Sequence, residues 1–380
     1  MVGVVDHAGP ARPSATAPTE RPRAGRFSGT GKLSSGDAAR RPVGGEPVVV
    51  LGAEDRAARQ APRLDPELAA ALATAGVTVG AESLTPEHLA AWQERDAAAR
   101  PRPTLGELRA DGRFEVAELR APADGREVTL VAARPTGLTG VLPVLYYLHG
   151  GGMISGNAWS VLPRLLREWA APLGIAVVSV EYRLAPEARH LGPVEDCYAG
   201  LTWLAEHTAT LGVDADRIVL GGKSAGAGLT AGLALLTRDR GGPVPIGQLL
   251  LSPMLDDRND SFSARQMDGH DTWDRTSNAT AWLALLGDRH GRSDVSPYAA
   301  PARATDLSGL PRAYVEVGSA ETFRDETVAY ADALWRAGGD AELHVWPGAC
   351  HGFDTYAPSA IISRRALAAR TDWLRRTLAT

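Results

Sequence analysis

From Val141 onward this chain repeats one pattern: a short, almost unbroken apolar run, then a longer stretch with helical periodicity. The runs Val141 to Leu148, Ile175 to Val180, Ile218 to Leu220, Gln248 to Leu251, Tyr314 to Val317 and Leu343 to Trp346 are far too short to cross a membrane as helices. They are also too continuously apolar for strands with one face in water. Between most of them lie helical stretches, including Thr202 to Leu211, Ala225 to Thr237, Glu326 to Ala337 and Ile361 to Leu378. Strands buried on both faces and alternating with helices require a mostly parallel central sheet flanked by helices, an α/β architecture. With 380 residues and 44% hydrophobic content, the chain can bury one large core and carry additions to it.

Ahead of this pattern, Phe114 to Leu119 and Val128 to Ala132 alternate apolar and polar residues around Asp124-Gly125, predicting a hairpin. Asp65-Pro66 and Thr85-Pro86 each set a capping side chain before a proline suited to the first helical position. Two short helices are expected there, with Leu68, Leu72, Leu89 and Trp92 as their apolar faces. Residues 1–60 mix Pro, Gly, Ala and Arg with little periodicity and are expected to form a flexible tail, because they bury too little apolar surface to offset ordering. The expected division is therefore 1–60 tail, 61–112 N-terminal helices and 113–380 the α/β domain.

Chemistry enters at Gly222-Lys223-Ser224-Ala225-Gly226, a GxSxG pattern between an apolar strand and an Ala/Leu-rich helix. A Gly-rich chain produces that pattern readily by accident, so its strand-to-helix setting carries the weight. A nucleophile at such a turn sits in strained backbone, and glycines flank it because side chains there would collide with neighbouring chain. A phosphate-binding P-loop ending in Gly222-Lys223-Ser224 is excluded, since Arg217 stands where that motif needs glycine.

His149-Gly150-Gly151-Gly152 directly follows a strand. Bare glycines leave backbone N–H groups open, so those of Gly151, Gly152 and Ala225 are candidates to bind an oxyanion. In the fold where Ser, acid and His follow in that chain order, the base must lie downstream of Ser224. His351 fits, in the loop after Leu343 to Trp346 at the carboxyl end of the sheet. For the acid, Glu321, Asp325 and Glu326 compete in the loop after Tyr314 to Val317. Glu321 is preferred over Asp325, because Asp325 and Glu326 fall where the next helix begins and have a capping role open to them.

These motifs, with Tyr182 to Glu187 (YRLAPE), Ser252 to Asp256 (SPMLD) and His351 to Phe353 (HGF), resemble the hormone-sensitive lipase family, whose bacterial members are called type IV esterases. The resemblance runs from about residue 113 to the C-terminus and implies an α/β-hydrolase fold with a helical cap. It implies Ser224 and His351 as catalytic residues and Gly151, Gly152 and Ala225 as the oxyanion hole. Two positions depart from the family pattern: Lys223 stands where Asp is usual, placing a cation beside the nucleophile, and Glu321 stands where Asp is common. The resemblance further implies a cap from N-terminal helices plus an insertion at about 257–297, where Trp273 and Trp282 would line an acyl pocket or join cap to core. YRLAPE itself reads only as a strand end leading into a structural, Pro-terminated turn.

The expected activity is hydrolysis of a small-molecule carboxylic ester through an acyl-enzyme. An amidase, or an acyltransferase or cyclase, would use the same parts, and a non-catalytic receptor is a more distant alternative. The nine His show no HExxH or comparable spacing, so neither metal nor cofactor is implied. A net charge of −5 offers no attraction to nucleic acid or an anionic membrane. The first thirty residues lack an apolar signal core, and two cysteines outside any CxxC pair suit a reducing cytoplasm. Relatives often form homodimers, but no feature of this sequence requires one.

Overall fold

All the apolar runs join a single eight-stranded sheet in a computed structural model that describes residues 60–80 and 82–379. The strands are β1 (Phe114–Ala123), β2 (Arg126–Pro135), β3 (Leu142–Leu148), β4 (Ala176–Glu181), β5 (Val213–Lys223), β6 (Gly247–Leu251), β7 (Arg312–Gly318) and β8 (Ala341–Trp346). Their order across the sheet is β1-β2-β4-β3-β5-β6-β7-β8. From β4 across to β8 every neighbouring pair is parallel, whereas β2 runs antiparallel to both β1 and β4. The fold is thus an α/β-hydrolase sheet flanked by helices, as the alternation requires. The expected tail lies outside the described residues, apart from Gln60.

Side-chain alternation splits the core in two. Val144, Tyr146 and Leu148 of β3 enter one apolar cluster, whereas Leu145 and Tyr147 enter another on the opposite face with Trp169 and Trp373. β8, at the sheet edge, is only partly buried. The Asp124-Gly125 hairpin is present, with Ala123 paired to Arg126 and φ positive at both turn residues. Two expected boundaries shift furthest. β5 begins at Val213 instead of Ile218, because its first half is partly exposed and lacks the apolar signature. The helix expected from Thr202 begins at Gly192, with Pro193 in its first turn, where a missing N–H costs nothing.

Upstream of β1, Asp65 caps the helix Pro66–Thr74 by accepting from the Leu68 N–H at 2.9 Å, as expected. Thr85 does not cap. Its hydroxyl meets His88 Nδ1 at 3.1 Å, and a single 3₁₀ turn leads into the helix Leu89–Ala99. This segment is tied to the stretch around the helix Arg275–Leu286: the Leu84 N–H donates to Ser277 Oγ (2.9 Å), and Thr280 Oγ1 donates to the Leu84 carbonyl (2.8 Å). Among the described residues no helix is long and apolar enough to cross a membrane.

Candidate active site

At the end of β5 the chain turns sharply into the helix Ala225–Arg240, and Ser224 occupies the corner with φ 58° and ψ −124°. For a residue with a side chain such a conformation costs roughly 1–3 kcal/mol, so the surroundings must impose it. They do so through hydrogen bonds: the Ser224 N–H donates to the Leu251 carbonyl (2.8 Å), and its own carbonyl accepts from the N–H groups of Ala227 and Gly228 (3.0 Å each) and of Met254 (3.2 Å). Gly226 has to be glycine, because a Cβ there would drive into the carbonyl oxygens of Leu148 and His149. The helix N-terminus also places its positive end beside Ser224.

His351, in the loop after β8, approaches this corner. Its Nε2 lies 3.0 Å from Ser224 Oγ, and its Nδ1 lies 2.7 Å from Glu321 Oε1. Glu321 is fully buried, and its second oxygen accepts from Ser252 Oγ (3.0 Å) and the Gly318 N–H (2.8 Å). Those donors stabilise a carboxylate held away from water. Phe323 meets the His351 ring edge-on, with centroids 5.1 Å apart. Asp325 points elsewhere: it accepts from the Ser263 N–H (2.7 Å) and pairs with Arg324. Glu326 accepts from the Leu255 N–H (2.8 Å), and burial pushes its carboxyl well above the usual range.

The glycine loop lies across from the corner. Gly151 and Gly152 both have positive φ, and the N–H groups of Gly151, Gly152 and Ala225 meet no protein acceptor among the described residues. His149 faces inward, buried, stacked on Tyr182 at 4.1 Å and bonded through Nδ1 to the Gly150 carbonyl. Burial lowers its pKa to about 4, so it is neutral at pH 7. The Tyr182 hydroxyl donates to the His149 carbonyl at 2.6 Å, and the Ala185 N–H donates to the Met153 carbonyl at 2.8 Å. The YRLAPE segment is therefore the buttress of the glycine loop, a link that its sequence alone did not disclose.

Lys223 does not place a cation in the pocket. Its ammonium is 2.5 Å from Asp354 Oδ1, inside a buried group that also contains Arg370, Arg164, Glu316 and Glu168. Burial opposes ionisation of Asp354, but Arg370, Lys223 and Arg164 outweigh it and hold its carboxyl well below the usual range. The two tryptophans also separate. Trp282 is fully buried in the core, which fits the second of the two roles open to it, joining cap to core. Trp273 is partly buried, 6.1 Å from Trp92 between ring centroids, and its ring sits where a Cβ on Gly152 would be, at 2.8 Å. Sequence reasoning missed Asp271, a buried carboxylate that accepts from the His351 N–H (2.9 Å) and the Thr322 N–H (3.0 Å). No motif announces it.

Cys197 and Cys350 are both buried and unpaired. Among the described residues, no group of three or more His, Cys, Asp or Glu is arranged to hold a metal ion.

Residues 145–355 match a family model described as alpha/beta hydrolase fold. Carboxylesterase NlhH of Mycobacterium tuberculosis is 37% identical over 218 residues, covering 57% of this chain and 68% of its own length. Among solved structures, a bacterial heroin esterase superposes with a TM-score of 0.75 at 39% identity, over 83% of this chain and 98% of its own. Esterase LipW from Mycobacterium marinum superposes with a TM-score of 0.73 at 32% identity, over 85% and 99% respectively.

Proposed function

Since the chain belongs to the hormone-sensitive lipase family of α/β hydrolases and is a carboxylesterase-type enzyme, we propose that it cleaves small to medium acyl esters through an acyl-enzyme on Ser224. The observation that carries this reading is the imidazole of His351, bonded on one side to Ser224 Oγ and on the other to Glu321. Ser224 Oγ attacks the ester carbonyl while His351 Nε2 takes its proton. Negative charge gathers on the former carbonyl oxygen, where the N–H groups of Gly151, Gly152 and Ala225 receive it; one such donor is typically worth ~10² to 10³ in rate. The tetrahedral species collapses as His351 protonates the departing alcohol. Water then enters, gives its proton to His351 and releases the acid, restoring Ser224. Glu321 holds the ring in the tautomer that keeps Nε2 free to accept and stabilises the imidazolium formed in both halves.

Residues 61–112 and 257–297 together form the cap in this reading, over a catalytic domain spanning 113–380. Trp273, against the glycine loop, is the aromatic placed to meet a substrate. A non-catalytic receptor of the same fold would have no use for an imidazole aligned on a serine.

Labelling with a fluorophosphonate followed by peptide mapping tests the proposal. Label on Ser224, lost in Ser224→Ala, is expected; an unlabelled wild type, or equal labelling of the variant, would sink it. Parallel assays on model esters and amides, with product acid measured directly, separate hydrolysis of esters from amidase or acyl-transfer chemistry.

A further inference from the structure

We infer that the tripeptide Asp271-Thr272-Trp273 is a positioning strap, one short stretch of the 257–297 segment that holds the histidine loop, the acid loop and the glycine loop in register. The inference rests on the reading of Ser224, Glu321 and His351 as a triad and adds how that triad is kept assembled.

Each of the three residues grips a different part of the site. Asp271 is 3% exposed, and its oxygens divide their work: Oδ1 accepts from the His351 N–H at 2.9 Å, and Oδ2 accepts from the Thr322 N–H at 3.0 Å. Thr322 directly follows Glu321. A single carboxylate therefore cross-links the residue bearing the imidazole to the neighbour of the residue bearing the acid. Thr272 completes the hold on the base, since its hydroxyl donates to the His351 carbonyl at 2.5 Å. Both backbone polar groups of His351 are thus bound by consecutive strap residues. The Trp273 carbonyl accepts from Thr322 Oγ1 at 2.7 Å, and its ring lies against Gly152.

The choice of residue at 271 fits this task. Bridging two N–H donors on separate loops takes two acceptor oxygens on one side chain, which a carboxylate has and an amide lacks. Placing it there is electrostatically unfavourable: burial, then the neighbouring charge of Glu321, raises the Asp271 carboxyl to about 6, against the opposing pull of His351 and the two N–H donors. A polar group needed only to finish a turn would not have to be a second carboxylate beside the triad acid. The strap runs between the helices Phe262–Gln266 and Arg275–Leu286, so displacing this segment would release both triad loops together.

Steady-state kinetics on Thr272→Val, Thr272→Ser and Asp271→Asn, beside wild type and Ser224→Ala, test the inference. Asp271→Asn is expected to lower kcat by up to ~10²-fold with KM within about threefold, the loss typical of small misplacement of reacting groups. Thr272→Val, nearly isosteric, should lower kcat about tenfold, the effect of one hydrogen bond, and Thr272→Ser should restore it. Fluorophosphonate labelling of Ser224 should slow in parallel. The inference is overturned if Asp271→Asn and Thr272→Val keep kcat within twofold of wild type while Ser224→Ala is inactive. It is equally overturned if Thr272→Ser fails to rescue and the losses simply follow falling thermal stability. Persistent activity in Ser224→Ala would instead strike at the triad reading, so the two failures are distinguishable.

Discussion

Two buried polar clusters draw on the same three stretches of chain and use them in opposite ways. The end of β5 supplies Ser224 to one and Lys223 to the other. β7 and its loop supply Glu321 and Glu316, and the segment after β8 supplies His351 from its loop and Asp354 from the short helix Phe353–Tyr356. In the first cluster a serine, an imidazole and two carboxylates meet without a permanent cation bonded to them. In the second, Lys223, Arg164 and Arg370 face Asp354, Glu316 and Glu168, with Arg370 and Glu316 each 1% exposed. Matched charges make the second cluster a rigid joint: every buried ion has a partner, and removing one leaves the others uncompensated. The first keeps its proton inventory adjustable, which is what proton transfer to and from an alcohol demands. The Lys223 that looked like a pocket cation therefore belongs to the joint beneath Ser224.

The sharpest way to break this contrast is to measure activity and stability separately in each cluster. Ser224→Ala should cost on the order of 10⁴-fold or more in kcat, abolish the acyl-enzyme burst and leave the denaturant midpoint nearly unchanged. A midpoint that fell with activity would make the first cluster structural too. Glu321→Gln should lower kcat by about 10⁴-fold, through loss of the correctly oriented imidazole, while Asp325→Asn should lose only the bond to the Ser263 N–H, worth about 1 kcal/mol. A larger kinetic loss from Asp325→Asn would transfer the acid's role. In the ionic cluster, Asp354→Asn should destabilise by about 3–5 kcal/mol, read in urea, because the buried Arg370 and the partly buried Lys223 and Arg164 lose their shared carboxylate.

Acidity separates the clusters by sign. The depressed Asp354 stabilises the fold above the ordinary carboxylate range, and that contribution is lost as pH falls through its lower folded value. Asp271 is raised to about 6, so its contribution is present below the ordinary value near 4 and is lost as pH rises through 6. Unfolding midpoints followed from pH 4 to 8 should contain an inflection near 6 that Asp271→Asn removes; an unchanged curve would contradict the assignment. Tyr182→Phe, which leaves the His149 carbonyl without its donor, should cost roughly 1–3 kcal/mol and loosen the glycine loop.

Much of the site was legible in the sequence because backbone demands dictate residue type locally. Ser224 follows a strand and opens a helix between glycines, and Gly151 and Gly152 lie in the loop that opens at a strand end. Glu321 could be preferred over Asp325 because the latter stands at the start of the next helix. Asp271 was not legible: its partners lie 51 and 80 residues away, and nothing in its neighbourhood marks a carboxylate that bonds two remote loops. The role of Trp282 stayed open between two readings for a related reason. An aromatic among polar residues gives no sign of direction, and only the packing of Arg275–Leu286 onto the core turned it inward. Thr85 failed as a cap although its dipeptide resembles Asp65-Pro66, because a 3₁₀ turn brought its hydroxyl to His88.

By itself, the amino-acid order determined the strand and helix alternation, the hairpin, the corner carrying Ser224 and the chain order Ser224, Glu321, His351. These follow from periodicity and local backbone strain, which act over a few residues. The tertiary structure alone decided which carboxylates reach the imidazole, where the Lys223 charge is neutralised and what holds the loops together. Those outcomes depend on distances between segments tens to over a hundred residues apart, and only the packed sheet sets them.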